Sequence, residues 1–222
     1  MLLLGFYNLL EKELDMELSL LLAISLFAFV MSVTPGPNNI MLLASGAQFG
    51  YQKTLPHIFG VLIGIASLLA SVLLGFGVIF ELYPALYDLL KVQGSLYLFW
   101  LAWKIATASI EPPAVNASQS SSERNKTKPM TLFRAVTFQF VNPKAWAMTI
   151  GSISSFTLAG EGYIESGLWI MLCFAITGFI AISLWAYLGV NIAQRLTTTK
   201  RKKAFNYTMG VMTIGTLFFI LN

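Results

Sequence analysis

The stretch Thr34-Pro35-Gly36-Pro37-Asn38-Asn39 stands inside an apolar run from about Leu18 to Ala47, and the fold turns on how that interruption is read. A proline inside a helix removes a hydrogen-bond donor and clashes with the carbonyl one turn earlier, so two prolines around a glycine end the helix. The carbonyls and N–H groups released there need partners. Within a bilayer such a break survives only where protein or a polar cavity receives the freed groups. Lipid is the solvent here: 56% of the 222 residues are hydrophobic and 11% charged, with a mean hydropathy of +0.72. That composition is too apolar for a water-soluble surface. At roughly 20 apolar residues per crossing, the chain has room for several spans and for no separate soluble domain.

Outward from this break, apolar segments run from about Leu18 to Ala47, Ile58 to Phe80, Ala85 to Ile105, Phe133 to Leu158, Ile164 to Ala193 and Ala204 to Leu221. Residues 106–130 are hydrophilic, rich in Ser, Pro, Asn and Lys, and read as a flexible loop. The chain therefore divides into a first three-span half, residues 18–105, and a second, residues 131–222. The fourth segment contains Asn142-Pro143-Lys144, preceded by Gln139 and followed by Trp146, so the first span of each half is broken. Interrupted helices at matching positions of two halves mark an inverted-repeat transporter with its ligand held between the breaks. The predicted fold is all-α, a polytopic membrane bundle of about six transmembrane helices arranged as two inverted three-helix repeats, with the first and fourth helices broken.

The candidate substrate-binding residues are Pro35, Gly36, Pro37, Asn38 and Asn39 from the first break and Gln139, Asn142, Pro143 and Lys144 from the second. Lys144 falls roughly 15 Å along the helix from Arg134, near the middle of a core about 30 Å thick. An unpaired ammonium there costs several kcal/mol, so it should face water, carbonyls or an anionic ligand. Pro35, counted from Leu18, falls roughly 25 Å into a straight helix. Straight helices would thus put the two breaks at different depths.

Lysine and arginine favour cytoplasmic loops. Lys53, then Lys104, Arg124, Lys126, Lys128 and Arg134, then Arg195, Lys200, Arg201, Lys202 and Lys203 fall on one side, and Lys12 and Lys91 on the other with Glu81, Asp88, Glu161 and Glu165. The central loop is therefore expected in the cytoplasm and both termini outside. Residues 1–17 form an amphipathic acidic leader (Glu11, Glu13, Asp15, Glu17) without the basic start of a signal peptide, and Met16 is an alternative start to Met1. The second span carries Gly60, Gly64, Ser67, Ser71 and Gly75 on one helical face, a stripe that lets helices approach closely in lipid. Tyr97, Phe99, Trp100 and Trp103, just before Lys104, have the composition of an interfacial aromatic belt.

Several function classes are excluded on the same residues. The net charge of +4 is spread over short loops rather than one face, which argues against nucleic acid. Cys173 is the only cysteine, so no disulfide or paired-thiol site can form within one chain. His57, the only histidine, sits at the edge of the second span, where it reads as an interfacial polar residue and leaves hydrolysis without a nucleophile and base. Neither a metal nor a cofactor is expected. No Asp or Glu lies at mid-span, so a cationic side chain would lack its partner and neutral amino acids suit the site better. Proton coupling then has only Asp88 and His57 as candidates, at opposite edges. The expected partners are a small amino acid substrate and membrane lipid, with a homo-oligomer left open. The rival reading is an assembly subunit whose broken helices only pack.

Three motifs carry a resemblance to a known family: Thr34 to Asn39, the run Gly-Ser-Leu-Tyr-Leu-Phe-Trp-Leu-Ala-Trp-Lys from Gly94 to Lys104, and Val141-Asn142-Pro143-Lys144. In order and spacing they resemble the lysine-exporter (LysE) superfamily, in its threonine/homoserine-exporter (RhtB-type) branch, over essentially the whole chain after Met16. The resemblance implies efflux of amino acids or their derivatives by a multi-pass protein of the bacterial inner membrane, driven by ion gradients. The third-span run and the short chain look most like the cysteine/O-acetylserine exporter group.

Overall fold

The computed structural model describes the backbone of residues 2–107 and 128–221, with side chains over residues 18–107 and 128–216. Most of the expected central loop, including Arg124 and Lys126, lies outside the described residues. Among the described residues the chain is all helix, with no strand. The elements in order are α1 (Leu2–Val33), α2 (Pro37–Phe49), α3 (Tyr51–Leu73), α4 (Val78–Leu82), α5 (Pro84–Thr107), α6 (Leu132–Phe140), α7 (Pro143–Phe156), α8 (Tyr163–Arg195) and α9 (Thr199–Leu221). A single 3-10 turn at Gly160–Gly162 precedes α8. The acidic leader is not set apart, because α1 runs through it into the first apolar segment.

Both interrupted segments are pairs of helices. Each second member begins on a proline, Pro37 in α2 and Pro143 in α7, at the first helical position, where the missing N–H has no intrahelical partner to lose. The α1–α2 pair bends by 61° at its break. Gly50, at φ +81°, then turns α2 directly into α3, its N–H closing on Gly46 O. A residue with a Cβ would be strained there.

Beside a buried apolar core, many large apolar side chains point outward and several polar ones inward. Leu18, Leu22, Leu26 and Val30 expose one face of α1, and Leu168, Leu172, Ile176, Ile180 and Leu184 one face of α8. Thr54, His57, Gln139, Asn142 and Thr149 are buried. This inversion of the soluble pattern is what lipid demands, since only protein can satisfy polar groups there. By length and composition, α3 and the stretch Gly160–Arg195 can each cross a membrane, and Leu18–Val33 with Pro37–Phe49 passes the same test only as a pair, a broken span or a re-entrant loop. The other expected spans are less apolar: α5 interleaves Lys91, Gln93 and Lys104, and α9 opens on Lys200, Arg201, Lys202 and Lys203.

Helices α1 and α2 lie along α8, α6 and α7 lie along α3, α3 touches α8, and α5 pairs with α9. Glycines set the closest approaches. Gly46 lies against Ala186 O and Gly189 against Leu43 O, with no room for a Cβ. A Cβ on Gly60 would meet Leu132 O and the Ala135 Cβ at 2.5 Å, and one on Gly64 would strike Gln139. The small-residue stripe of the second span therefore packs α3 on α6 through Gly60 and Gly64. Its outer end does not: the Ser67 and Ser71 hydroxyls bond carbonyls of their own helix, to Ile63 O and Ser67 O. Gly75 lies past the end of α3, at φ +94° with open space around it. Gly75 falls outside the stripe because α3 spans Tyr51–Leu73 rather than Ile58 to Phe80.

Candidate substrate site between two helix breaks

A helix that stops leaves its last four carbonyls without intrahelical partners. At the end of α1 these are met from three elements. Asn39 Nδ2, in the first turn of α2, donates to Ser32 O at 2.9 Å, Val33 O at 3.3 Å and Thr34 O at 2.9 Å. Trp185 Nε1 of α8 donates to Val33 O at 3.1 Å, and Lys144 Nζ of α7 to Thr34 O at 2.7 Å. At the end of α6 the Trp146 indole donates to Phe140 O at 2.9 Å. Both breaks therefore use a tryptophan N–H to hold a released carbonyl.

The amides join the two breaks. Asn38 Nδ2 donates to Gln139 Oε1 at 2.8 Å, and Gln139 Nε2 returns to Asn38 Oδ1 at 3.1 Å and to Ala135 O at 2.9 Å. Asn142 Nδ2 reaches the same Gln139 Oε1 at 3.5 Å. Gly64 makes room for this cluster, since any side chain there would collide with Gln139. Gly94 of α5 presses on the second break from behind: a Cβ on it would lie 2.5 Å from Val141 O and 2.8 Å from Pro143 Cδ. Gly94, Leu98 and Ala102 are the buried face of α5, while Phe99, Trp100 and Trp103 are exposed and the Lys104 ammonium lies 4.5 Å from the Trp100 ring centre. The third-span run therefore has two faces, one locking the second break and one with the exposure of an aromatic belt.

The structure brings the two breaks into contact. Because α1 and α2 bend at the first break, Gly36 lies against Lys144, close enough that a Cβ would be 2.9 Å from Lys144 Cδ. A narrow cavity of about 50 Å³, partly open, lies where the two breaks meet. Its floor is Gly36, Asn38, Asn39, Asn142 and Lys144, and its walls are the middles of α3 and α8 with Val61, Ile65, Met171 and Phe174. A second, wider cavity of about 360 Å³ is lined by Thr34, Pro35, Tyr87, Pro143 and Thr216. Met31, Gly36, Pro37 and Lys144 line both, so the Lys144 side chain and the Pro-Gly-Pro turn form the partition. Among the described residues lining either cavity there is no Asp or Glu. The chemistry on offer is one ammonium, neutral amides and helix-end carbonyls against apolar walls, which suits a ligand with one anionic group and nearby hydrogen-bond donors.

All nine candidate binding residues come together around this partition. Gln139 lines neither cavity and acts behind Asn38 and Asn142. His57 is 1% exposed and faces into the bundle, and neither ring nitrogen has a partner among the described residues. Asp88 is exposed near the start of α5, and neither it nor His57 lines a cavity. Cys173 is buried and accepts from Ser25 Oγ at 3.4 Å, a packing role. Sequence reasoning missed the apolar walls, Tyr87, Thr216 and Trp185. Only Trp185 left a signal, a tryptophan well inside a span rather than at its interface.

A membrane helix bundle whose two broken helices meet at a lysine between cavities has the build of a solute translocator. Residues 29–221 match the LysE type translocator family, and the chain belongs to it. It is similar to the cysteine/O-acetylserine efflux proteins of Escherichia coli, 30% identical over 181 residues covering 80% of this chain and 86% of the relative. The protein of the same description from Salmonella typhimurium is 30% identical over 179 residues, covering 79% and 85%. No solved structure matches the chain.

Proposed function

We propose that the chain exports small neutral amino acids or their derivatives, of the cysteine and O-acetylserine kind, across the bacterial inner membrane, holding them where the two breaks meet. One observation carries this reading: the Lys144 ammonium stands at the partition between two cavities, bonded to Thr34 O and facing no carboxylate among the described lining residues. Every α-amino acid brings a carboxylate, and a charge-assisted bond to it is stronger than a neutral one. The half-helices α2 and α7 strengthen the same preference, because their N-termini carry positive partial charge and no side-chain cap. A cationic side chain would find no acid in either cavity, whereas Met31, Met148 and Met171 give a small neutral one soft, adaptable walls.

The six-span inverted repeat belongs to the same proposal. In it α1–α2, α3 and α5 correspond to α6–α7, α8 and α9. The helix pairs support this, since the broken element of each half packs on the second span of the other and the two third spans pair. The positive loops then lie in the cytoplasm, and export runs from there outward. Driving by an ion gradient follows the family resemblance. His57 is the better placed of the two coupling candidates, being buried with unpartnered nitrogens, while Asp88 is exposed.

Overexpression in a cysteine-sensitive bacterial host tests the reading. Export predicts a rise in external cysteine and O-acetylserine with matching tolerance, no such rise for lysine or arginine, and loss of the effect in Lys144→Gln at equal membrane abundance. No rise for any amino acid would return the chain to the assembly-subunit reading.

A further inference from the structure

Asn142 is the N-cap residue of α7, yet its side chain makes no capping bond. An asparagine at that position ordinarily turns its oxygen onto the N–H groups of the first turn. Here the side chain turns away, and which of its ends points where follows from a backbone atom. Ala135 O can only accept, so the Gln139 group 2.9 Å from it must be the NH2, and Gln139 Oε1 must face the other way. That oxygen is the acceptor shared by Asn38 Nδ2 at 2.8 Å and Asn142 Nδ2 at 3.5 Å. Asn142 Oδ1 is thereby pointed away from the cluster. It is buried and has no donor within reach among the described residues, in a residue 2% exposed that lines the cavity shared with Lys144. Leaving a buried acceptor unmet is costly, and flipping the Asn142 amide would set its oxygen against Gln139 Oε1, two acceptors with no proton between them.

We propose that Asn142 Oδ1 accepts a hydrogen bond from the α-ammonium of the amino acid whose carboxylate lies at Lys144. The inference rests on the export reading above and adds the reason for its selectivity. A zwitterion has one strong acceptor and one strong donor on neighbouring atoms, and the second break presents their complements two residues apart, an ammonium and a lone amide oxygen. Selection therefore falls on the free amine beside the carboxylate. Esters or thiols on the side chain are accepted, and compounds with a blocked or missing amine are refused.

The test compares two ligands that differ only at that group, O-acetyl-L-serine and its deamino analogue 3-acetoxypropanoate, by competition against radiolabelled O-acetyl-L-serine on the purified full-length protein. A hydrogen bond to a charged group corresponds to about ten- to hundredfold in affinity, so the wild type should bind the deamino analogue weaker by that factor. Asn142→Ala should bring the two ligands to within a few-fold of each other by weakening O-acetyl-L-serine alone. Asn142→Asp, which keeps the acceptor and nearly the volume, should keep or widen the preference. Equal wild-type affinity for both ligands would overturn the assignment without recourse to any variant. So would an equal loss of both in Asn142→Ala, or loss of the preference in Asn142→Asp. A wild type that binds neither ligand would instead overturn the export reading, and this inference with it.

Discussion

Substituting Gly36 by alanine isolates the contact between the two breaks. Gly36 has φ −165° and ψ 178°, extended backbone that alanine adopts freely, so the change carries no conformational strain. Its new Cβ would stand 2.9 Å from Lys144 Cδ and 3.0 Å from Nζ, where ordinary contact begins at 3.4 Å. The lysine must therefore retreat by 0.4 to 0.5 Å, the differences between those distances. Taken up along its bond to Thr34 O, the retreat stretches 2.7 Å to 3.1 Å, beyond the span of about 2.7–2.9 Å where charged N–H···O bonds are strongest. A hydrogen bond to a charged group is worth about 1.5–3 kcal/mol. The same displacement moves the ammonium off its proposed bond to the substrate carboxylate, and losing part of that bond, about 1 kcal/mol, corresponds to a roughly fivefold rise in KM for O-acetyl-L-serine counterflow in proteoliposomes. Membrane abundance should stay near that of the parent, because only the far end of a flexible side chain has to move. The decisive arm is the double variant. If Gly36 acts through Lys144, the alanine should add little in a Lys144→Gln background, the non-additivity expected of two groups in contact. An unchanged KM in Gly36→Ala, or an equal fivefold effect in both backgrounds, would refute the reasoning.

Lys144→Gln alone should lower export about ten- to hundredfold at matched abundance, and Lys144→Arg should keep part of it, since the charge survives with a different geometry; snorkelling to the interface would predict parental transport from both. Gly94→Leu should lower the thermal stability of the detergent-purified protein by about 1–3 kcal/mol or more through overpacking against the second break, whereas Gly215→Ala, whose Cβ would meet nothing within 4 Å, should melt like the parent. Reporter fusions at Ser120 and Asn222 should give opposite signals, with the first in the cytoplasm. Signals from the same side would overturn the six-span topology.

The two helix breaks were legible because they depend on covalent properties. Proline lacks a donor wherever it stands, and lipid supplies no substitute, so Pro35, Pro37 and Pro143 announce interrupted helices without reference to any neighbour. An ammonium among apolar residues is conspicuous for the same reason. Helix ends were less legible, as the early start of α3 shows, because Tyr51 to His57 mixes polar and apolar residues and a single proline near a helix start is tolerated.

Contacts between distant positions could not be read from local pattern. Asn38 meets Gln139 across 101 residues, Lys144 meets Thr34 across 110, and Trp185 meets Val33 across 152. Each depends on how closely whole helices approach, which Gly46, Gly60, Gly64 and Gly189 decide by lacking a Cβ, and no spacing rule says which helix each glycine will face. The sequence alone thus determined that this is an apolar, all-helical chain of a membrane translocator family, with two proline-broken helical segments and a lysine at one of the breaks. Only the tertiary structure decided that the interruptions touch, that Lys144 stands between two cavities, and that Asn142 keeps a free oxygen. Those facts depend on a 61° bend and on packing between halves, neither of which is encoded by any single stretch of chain.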